Sequence, residues 1–205
     1  MVRRARSPKT TRRSSAELVS ARLRRATYVA ALATAFVCVV SSSGSAQGAR
    51  SPAPPAPGLV FAFELRADVG TPLEIGPVPG GRRRIVPILG GTFEGPGIKG
   101  RIAPGGADWQ IIRADGFSEL DTRYTIETDR GQTIYVQNAG MRHAAPAVME
   151  KLLKGEAVDP ALVYFRTVPT FETSAPDLQW LTRAIFIGTG ERHPTQVVIR
   201  FWRVE

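Results

Sequence analysis

Cysteine is almost absent: Cys38 is the whole supply in 205 residues, and it lies in a leader described below. A mature chain without cysteine has no disulfide, no thiolate nucleophile and no cysteine-ligated metal. Histidine is nearly as scarce. His143 and His193 stand fifty residues apart at the end of one strand and in a turn, which is no ligand spacing, so no metal is expected. No apolar run reaches the ~20 residues of a bilayer span. None of the glycine clusters runs into Gly-Lys-Ser/Thr, which excludes a phosphate loop. A Gly-x-Ser-x-Gly elbow is also missing, and with it the support for a serine hydrolase.

What the chain does have is positive charge, +9 overall, and that excess is local. Nine Lys or Arg residues precede Ala46, from Arg3 to Arg25, against the single acid Glu17. Removing them from the totals of 27 and 18 leaves 18 bases and 17 acids, a net charge of +1. The nucleic-acid reading that a basic composition invites therefore fails. The basic region ends at Arg24-Arg25, an apolar run follows from Ala26 to Val40, and the small-residue stretch SSSGSAQGA comes next. These are the three parts of a signal peptide, with cleavage expected after Ala46. Residues 1–46 thus read as a leader, and the protein as exported, periplasmic or secreted, with no stable membrane insertion once the leader is cut. Arg24-Arg25 leaves the general secretory and twin-arginine routes both open. Val37 before Cys38 is not the small residue a lipidation site needs.

Residues 47–58, QGARSPAPPAPG, form a linker that can bury nothing. From Leu59 onwards, short apolar segments alternate with Gly/Pro-rich turns. LVFAFELRADV reads as a first strand, 72–81 as loop ending in the triplet Arg82-Arg83-Arg84, and RIVPILGGTFEGP as a strand entering a turn-rich corner. ADWQIIRADG follows the Pro104-Gly105-Gly106 turn, and LDTRYTIET and QTIYVQNAG form a hairpin around Asp129-Arg130-Gly131. One helix is expected in APAVMEKLLKG, with Pro146 at its start and Gly155 after its end. ALVYFRTVPTFET, LQWLTRAIFIGTG and TQVVIRFWRV supply the last strands. Residues 59–205 therefore define one all-β domain, a single antiparallel β-barrel of about eight or more strands with one short helix.

Several fragments carry a resemblance: GGTFEGPGIKGRIAPGGADWQ, LDTRYTIETDRGQTIYVQNAGMR, LLKGEAVDP, YFRTVPTFET and WLTRAIFIGTGERHP. Together they resemble the bacterial family termed domain of unknown function 3237, over roughly Phe61 to Val204. The resemblance implies a compact antiparallel barrel of the kind that holds small ligands. It implies no established activity and passes on no catalytic residue.

Candidate residues must then come from chemistry. Successive strand residues point to opposite faces, so Asp121, Arg123 and Glu127 share one face while Thr122, Tyr124 and Ile126 share the other. If the charged face lines the interior, a barrel of ~8 strands has room for it and one small ligand. Asp121 or Glu127 would then take a proton, with Arg123 or Arg166 steadying an oxyanion. Ligand contacts are expected from Asp108, Trp109, Asn138, Arg142, Arg166, Glu172 and Trp180. Asp108 follows a Gly-Gly turn at a barrel mouth, and the tryptophans offer an aromatic wall.

The expectation is a barrel that binds a small polar or anionic molecule and supports cofactor-free chemistry such as isomerisation, cyclisation, elimination or hydration. The competing reading is a packed scaffold that binds another protein, in which the charges are structural. A homo-oligomer fits either. An open cavity against a filled interior discriminates them.

Overall fold

The computed structural model describes residues 53–205; the expected leader and residues 47–52 of the linker lie outside them. Residues 53–58 are exposed and irregular, as their Ala/Pro composition requires. Ten strands follow: β1 (Leu59–Val69), β2 (Leu73–Val78), β3 (Gly81–Gly95), β4 (Ile98–Ile102), β5 (Ala107–Ile112), β6 (Ser118–Thr128), β7 (Thr133–Ala144), β8 (Val163–Glu172), β9 (Phe186–Arg192) and β10 (Gln196–Val204). The helix α1 (Pro146–Leu153) sits between β7 and β8. Every pairing is antiparallel.

The barrel closes because β1 pairs with β10 on one side and with β3 on the other. Two positions are each shared by a pair of strands. β4 and β5 both lie between β3 and β6, and β2 continues the position of β1 along β3. Eight barrel positions thus absorb ten strands. The resulting cylinder is of the size whose interior is filled by side chains or holds one small ligand.

The model corrects three local expectations. The stretch 72–81 is not all loop: it contains β2, a strand accommodating Gly76 and Pro77 because it is an edge with a register shift between Glu74 and Gly76. The glycine-rich corner after β3 contains β4. In LQWL, Pro176–Leu181 forms a 3₁₀ turn and not a strand, and Leu178 and Leu181 are buried. The helix follows expectation, with Pro at its first turn and Gly155 at φ +80° just beyond its end.

Which side of each strand faces inward is set by its apolar members. On β8, Phe165, Thr167, Pro169 and Phe171 are buried and the residues between them exposed. On β6 the buried set is Ser118, Leu120, Tyr124, Ile126 and Thr128.

The interior is divided along its axis. At one end Phe63, fully buried, packs against Phe93, Phe171 and Phe201 with ring centroids 5.0 to 5.8 Å apart, and truncating such a side chain costs about 3–5 kcal/mol. Moving along β1 from Phe63 to Val69, along β7 from Val136 to Arg142 and along β8 from Phe171 to Phe165, the lining passes from this aromatic plug to a polar cavity.

Candidate functional site

The cavity occupies about 50 Å³. One wall is apolar: Leu65 and Ala67 from β1, Val86 and Ile88 from β3, Val197 and Ile199 from β10. The other is polar: Asp108 and Gln110 from β5, Asn138 and Arg142 from β7, Thr167 from β8 and Arg192 from β9. Thr122 and Tyr124 of β6 complete it.

Each polar side chain is aimed inward by parity with buried apolar neighbours. Asn138 and Arg142 follow Ile134 and Val136 at even spacing on β7, and Arg142 is only 2% exposed. Its guanidinium lies over the Phe165 ring, 5.6 Å from the centroid. Phe165 is held in turn by β9: a Cβ on Gly190 would come within 2.5 Å of its ring. Only glycine lets β9 approach so closely.

A hydrogen-bonded relay runs into the cavity. Arg84 Nε donates to Gln110 Oε1 at 2.8 Å, and Gln110 Nε2 donates to Asp108 Oδ2. The other carboxylate oxygen, Asp108 Oδ1, is buried without a hydrogen-bond partner among the described residues. So are Asn138 Oδ1, Thr167 Oγ1, Tyr124 OH, Arg142 Nε and Arg192 Nη1. Buried polar groups in native proteins are nearly always paired. Six such atoms lie around one cavity, and each costs roughly 1–3 kcal/mol while unpaired.

The electrostatics are one-sided. Arg84 and Arg142 are buried and Arg192 is half-buried, against the single cavity carboxylate of Asp108. Burial lowers the Arg142 pKa to about 10, opposed by Asp108 and reinforced by Arg84 and Arg192; the guanidinium stays protonated at neutral pH. Arg84 and Arg192 are lowered for the same first reason. Burial raises the Asp108 carboxyl above the usual carboxylate range, opposed by the Gln110 hydrogen bond, by Arg142, by the nearby Thr122 hydroxyl and by Arg84. The Tyr124 hydroxyl, raised by burial, stays neutral and can donate.

The model brings Asp108, Asn138 and Arg142 together and places the other expected residues elsewhere. Asp121, Arg123 and Glu127 stand on the outer face of β6: Arg123 pairs with Asp121 at 3.1 Å and Glu127 with Arg101. Arg166 and Glu172 are exposed on the outside of β8, and Arg166 sits 5.0 Å from the Tyr164 ring centroid. Trp109 is on the face of β5 opposite Asp108 and Gln110. Trp180 packs on Phe186 at the plugged end, ring centroids 5.9 Å apart. The physical reason is common to the β6 and β8 charges: alternation offers two faces, and the apolar residues take the inner one. Gln110, Thr122, Tyr124, Thr167 and Arg192 escaped the sequence reading as site residues, and Arg84 entered it only as part of the loop-edge triplet Arg82-Arg83-Arg84. Arg84 shares parity with Val86 and Ile88 in RRRIVPIL, a signal that marks it as inward-facing.

A closed antiparallel barrel with one end packed and a cationic polar cavity at the other is thus the class of protein that fold and site define. The chain belongs to the family described as protein of unknown function DUF3237, whose model matches residues 57–204. A UPF0311 protein of Rhodopseudomonas palustris is 48% identical over 139 residues, 68% of this chain and 91% of its own length. The crystal structure of a conserved protein of unknown function from the same species aligns at 43% identity and a TM-score of 0.73, covering 74% of this chain and all of that one. A beta-barrel like protein from Acinetobacter baumannii aligns at 38% identity and a TM-score of 0.66, covering 76% of this chain and all of that one.

Proposed function

We propose that this protein binds a small organic anion in the polar end of its barrel and transfers a proton within it. The observation that carries the reading is the set of six buried, unpartnered polar atoms around a cavity where Arg142 and Arg192 face one carboxylate, with Arg84 behind them through Gln110. An anionic oxygen against Arg142 and Arg192 supplies the missing acceptor and the missing charge. A packed scaffold has no use for such a cluster.

Asp108 is the proton-transfer group. Gln110 occupies Oδ2, so Oδ1 is the oxygen free to take a proton from a carbon next to a carbonyl and return it to a neighbouring atom. Arg142 holds the oxyanion that forms meanwhile, and the Tyr124 hydroxyl donates a second hydrogen bond. Isomerisation is the simplest outcome, and cyclisation, elimination or hydration uses the same two roles. The leader read in residues 1–46 makes the protein an exported one.

The test is a thermal-shift screen of the chain from Gln47 against small carboxylates, sugars and lactones. A binder at 100 times its Kd stabilises by about 2.7 kcal/mol. Carboxylates are expected to give shifts that Arg142→Met removes. Shifts that survive Arg142→Met, or none from any carboxylate, would sink the proposal.

A further inference from the structure

The hydrogen bonds leading into the cavity run in one direction only. An arginine side chain donates and never accepts, so Arg84 Nε, 2.8 Å from the Gln110 amide, fixes Oε1 as the end that meets it. Gln110 Nε2 is thereby turned to Asp108 Oδ2. What remains is Asp108 Oδ1, a buried acceptor without a partner among the described residues. The nearby Thr122 hydroxyl makes no hydrogen bond to it, and a carboxylate oxygen has lone pairs for more than one donor.

The unpartnered groups around the cavity therefore differ in kind. Arg142 Nε and Arg192 Nη1 can only donate, the Tyr124 and Thr167 hydroxyls do either, and the Asn138 amide can present either end. An ionised Asp108 can only accept. A plain carboxylate would satisfy the arginines but set acceptor against acceptor at Oδ1, and an oxo acid adds a further acceptor. A hydroxyl brings the proton that Oδ1 needs.

Size limits the rest of the molecule. One water needs roughly 10–15 Å³ by the measure that gives this cavity about 50 Å³, so about four water-sized groups fit. That is roughly the bulk of a two- or three-carbon acid.

Resting on the anion-binding reading above, we infer that the ligand is a short 2-hydroxy acid whose carboxylate lies against Arg142 and Arg192 and whose hydroxyl donates to Asp108 Oδ1. The carbon that bears this hydroxyl is also the one next to the carboxyl carbonyl, the position from which Asp108 would take its proton.

The experiment is isothermal titration of the protein with the two lactate enantiomers, pyruvate and propionate, which share three carbons and a carboxylate and differ in the group at the second carbon. The better-bound lactate is expected to bind at least about tenfold more tightly than either pyruvate or propionate, because the other two leave a buried charged acceptor unpaired. Asp108→Asn sharpens the test. Gln110 Nε2 keeps an oxygen facing it, so the new amide nitrogen takes the place of Oδ1 and turns an acceptor into a donor; the preference is expected to invert in favour of pyruvate. Asp108→Ala removes the acceptor without adding a donor and is expected to bring the lactate-to-propionate ratio close to one. Equal wild-type affinities for the acids would overturn the hydroxyl contact while leaving the anion site standing. A lactate preference that survives both Asp108 variants would also overturn it, since the hydroxyl would then be held elsewhere. Failure of every acid to bind the wild type would remove the anion site and this reading with it.

Discussion

Replacing Arg142 by methionine is expected to stabilise the fold while abolishing ligand binding. The magnitude follows from the site. Burial depresses the Arg142 pKa by more than two units, to about 10, and each unit corresponds to about 1.36 kcal/mol. Holding the charged guanidinium inside the barrel therefore costs about 3 kcal/mol. A base with a lowered folded pKa imposes its full cost at every pH below that value. The cost fades only as pH rises from about 10 towards the ordinary guanidinium value, so at neutral pH all of it is present. Methionine removes the charge and keeps an unbranched apolar stem over Phe165. Against the gain stand the lost cation–π contact, about 1 kcal/mol, and a cavity carboxylate that loses one favourable neighbour and titrates higher still. The net expectation is about 1–2 kcal/mol of added stability.

For a domain of this size that is a rise of about 2–4 °C in Tm per kcal/mol, measurable by calorimetry at pH 7 beside a ligand titration. Gain of stability with loss of binding is the signature of a residue kept for function. A fall of more than about 1 kcal/mol in Arg142→Met would refute the reasoning, since it would make Arg142 a structural member of a satisfied network.

Further outcomes follow from the same geometry. The raised Asp108 carboxyl penalises the folded state above its unfolded pKa of 3.8; stability should fall as pH rises from there to the folded value, and Asp108→Asn should flatten that part of a Tm-against-pH curve. Equal slopes for both proteins would contradict it. Gly190→Ala should destabilise by roughly 1–3 kcal/mol through overpacking against Phe165, read by chemical denaturation, and should weaken binding by driving that ring into the cavity. Arg123→Ala removes an exposed ion pair and should leave both Tm and ligand affinity unchanged. Mass spectrometry of the exported protein should find Gln47 as the first residue, and recovery of only the uncut chain would contradict export through a cleaved leader.

The barrel was legible in the sequence because closure needs only short alternating segments, and those are local. The split positions were not. β2 and β4 are short, glycine-interrupted stretches that exist because β3 is long enough to pair with two strands on each edge, a tertiary fact with no local signature. The 3₁₀ turn at Pro176–Leu181 replaced an expected strand for a related reason: Leu178 and Leu181 are buried at the plugged end, and their strand-like composition serves that burial equally well.

Of the cavity's polar residues only Asp108, Asn138 and Arg142 were legible, and the division is instructive. Asp121, Arg123 and Glu127 drew the eye because charges at alternate positions are conspicuous, yet on β6 they share the parity opposite to Leu120, Tyr124 and Ile126. A strand with several strong apolar residues on one face has no freedom to turn its charges inward, because the burial lost far exceeds anything an ion pair returns. The informative pattern is the reverse one, a lone polar residue at the apolar parity. Asn138 and Arg142 continue Ile134 and Val136, Arg84 precedes Val86 and Ile88, and Thr167 lies between Phe165 and Pro169. Each of these breaks an apolar series from within, and they converge because the barrel brings the same axial level of every strand to one place. The proposed binding end of the barrel is where the inward parity stops being apolar on several strands at once.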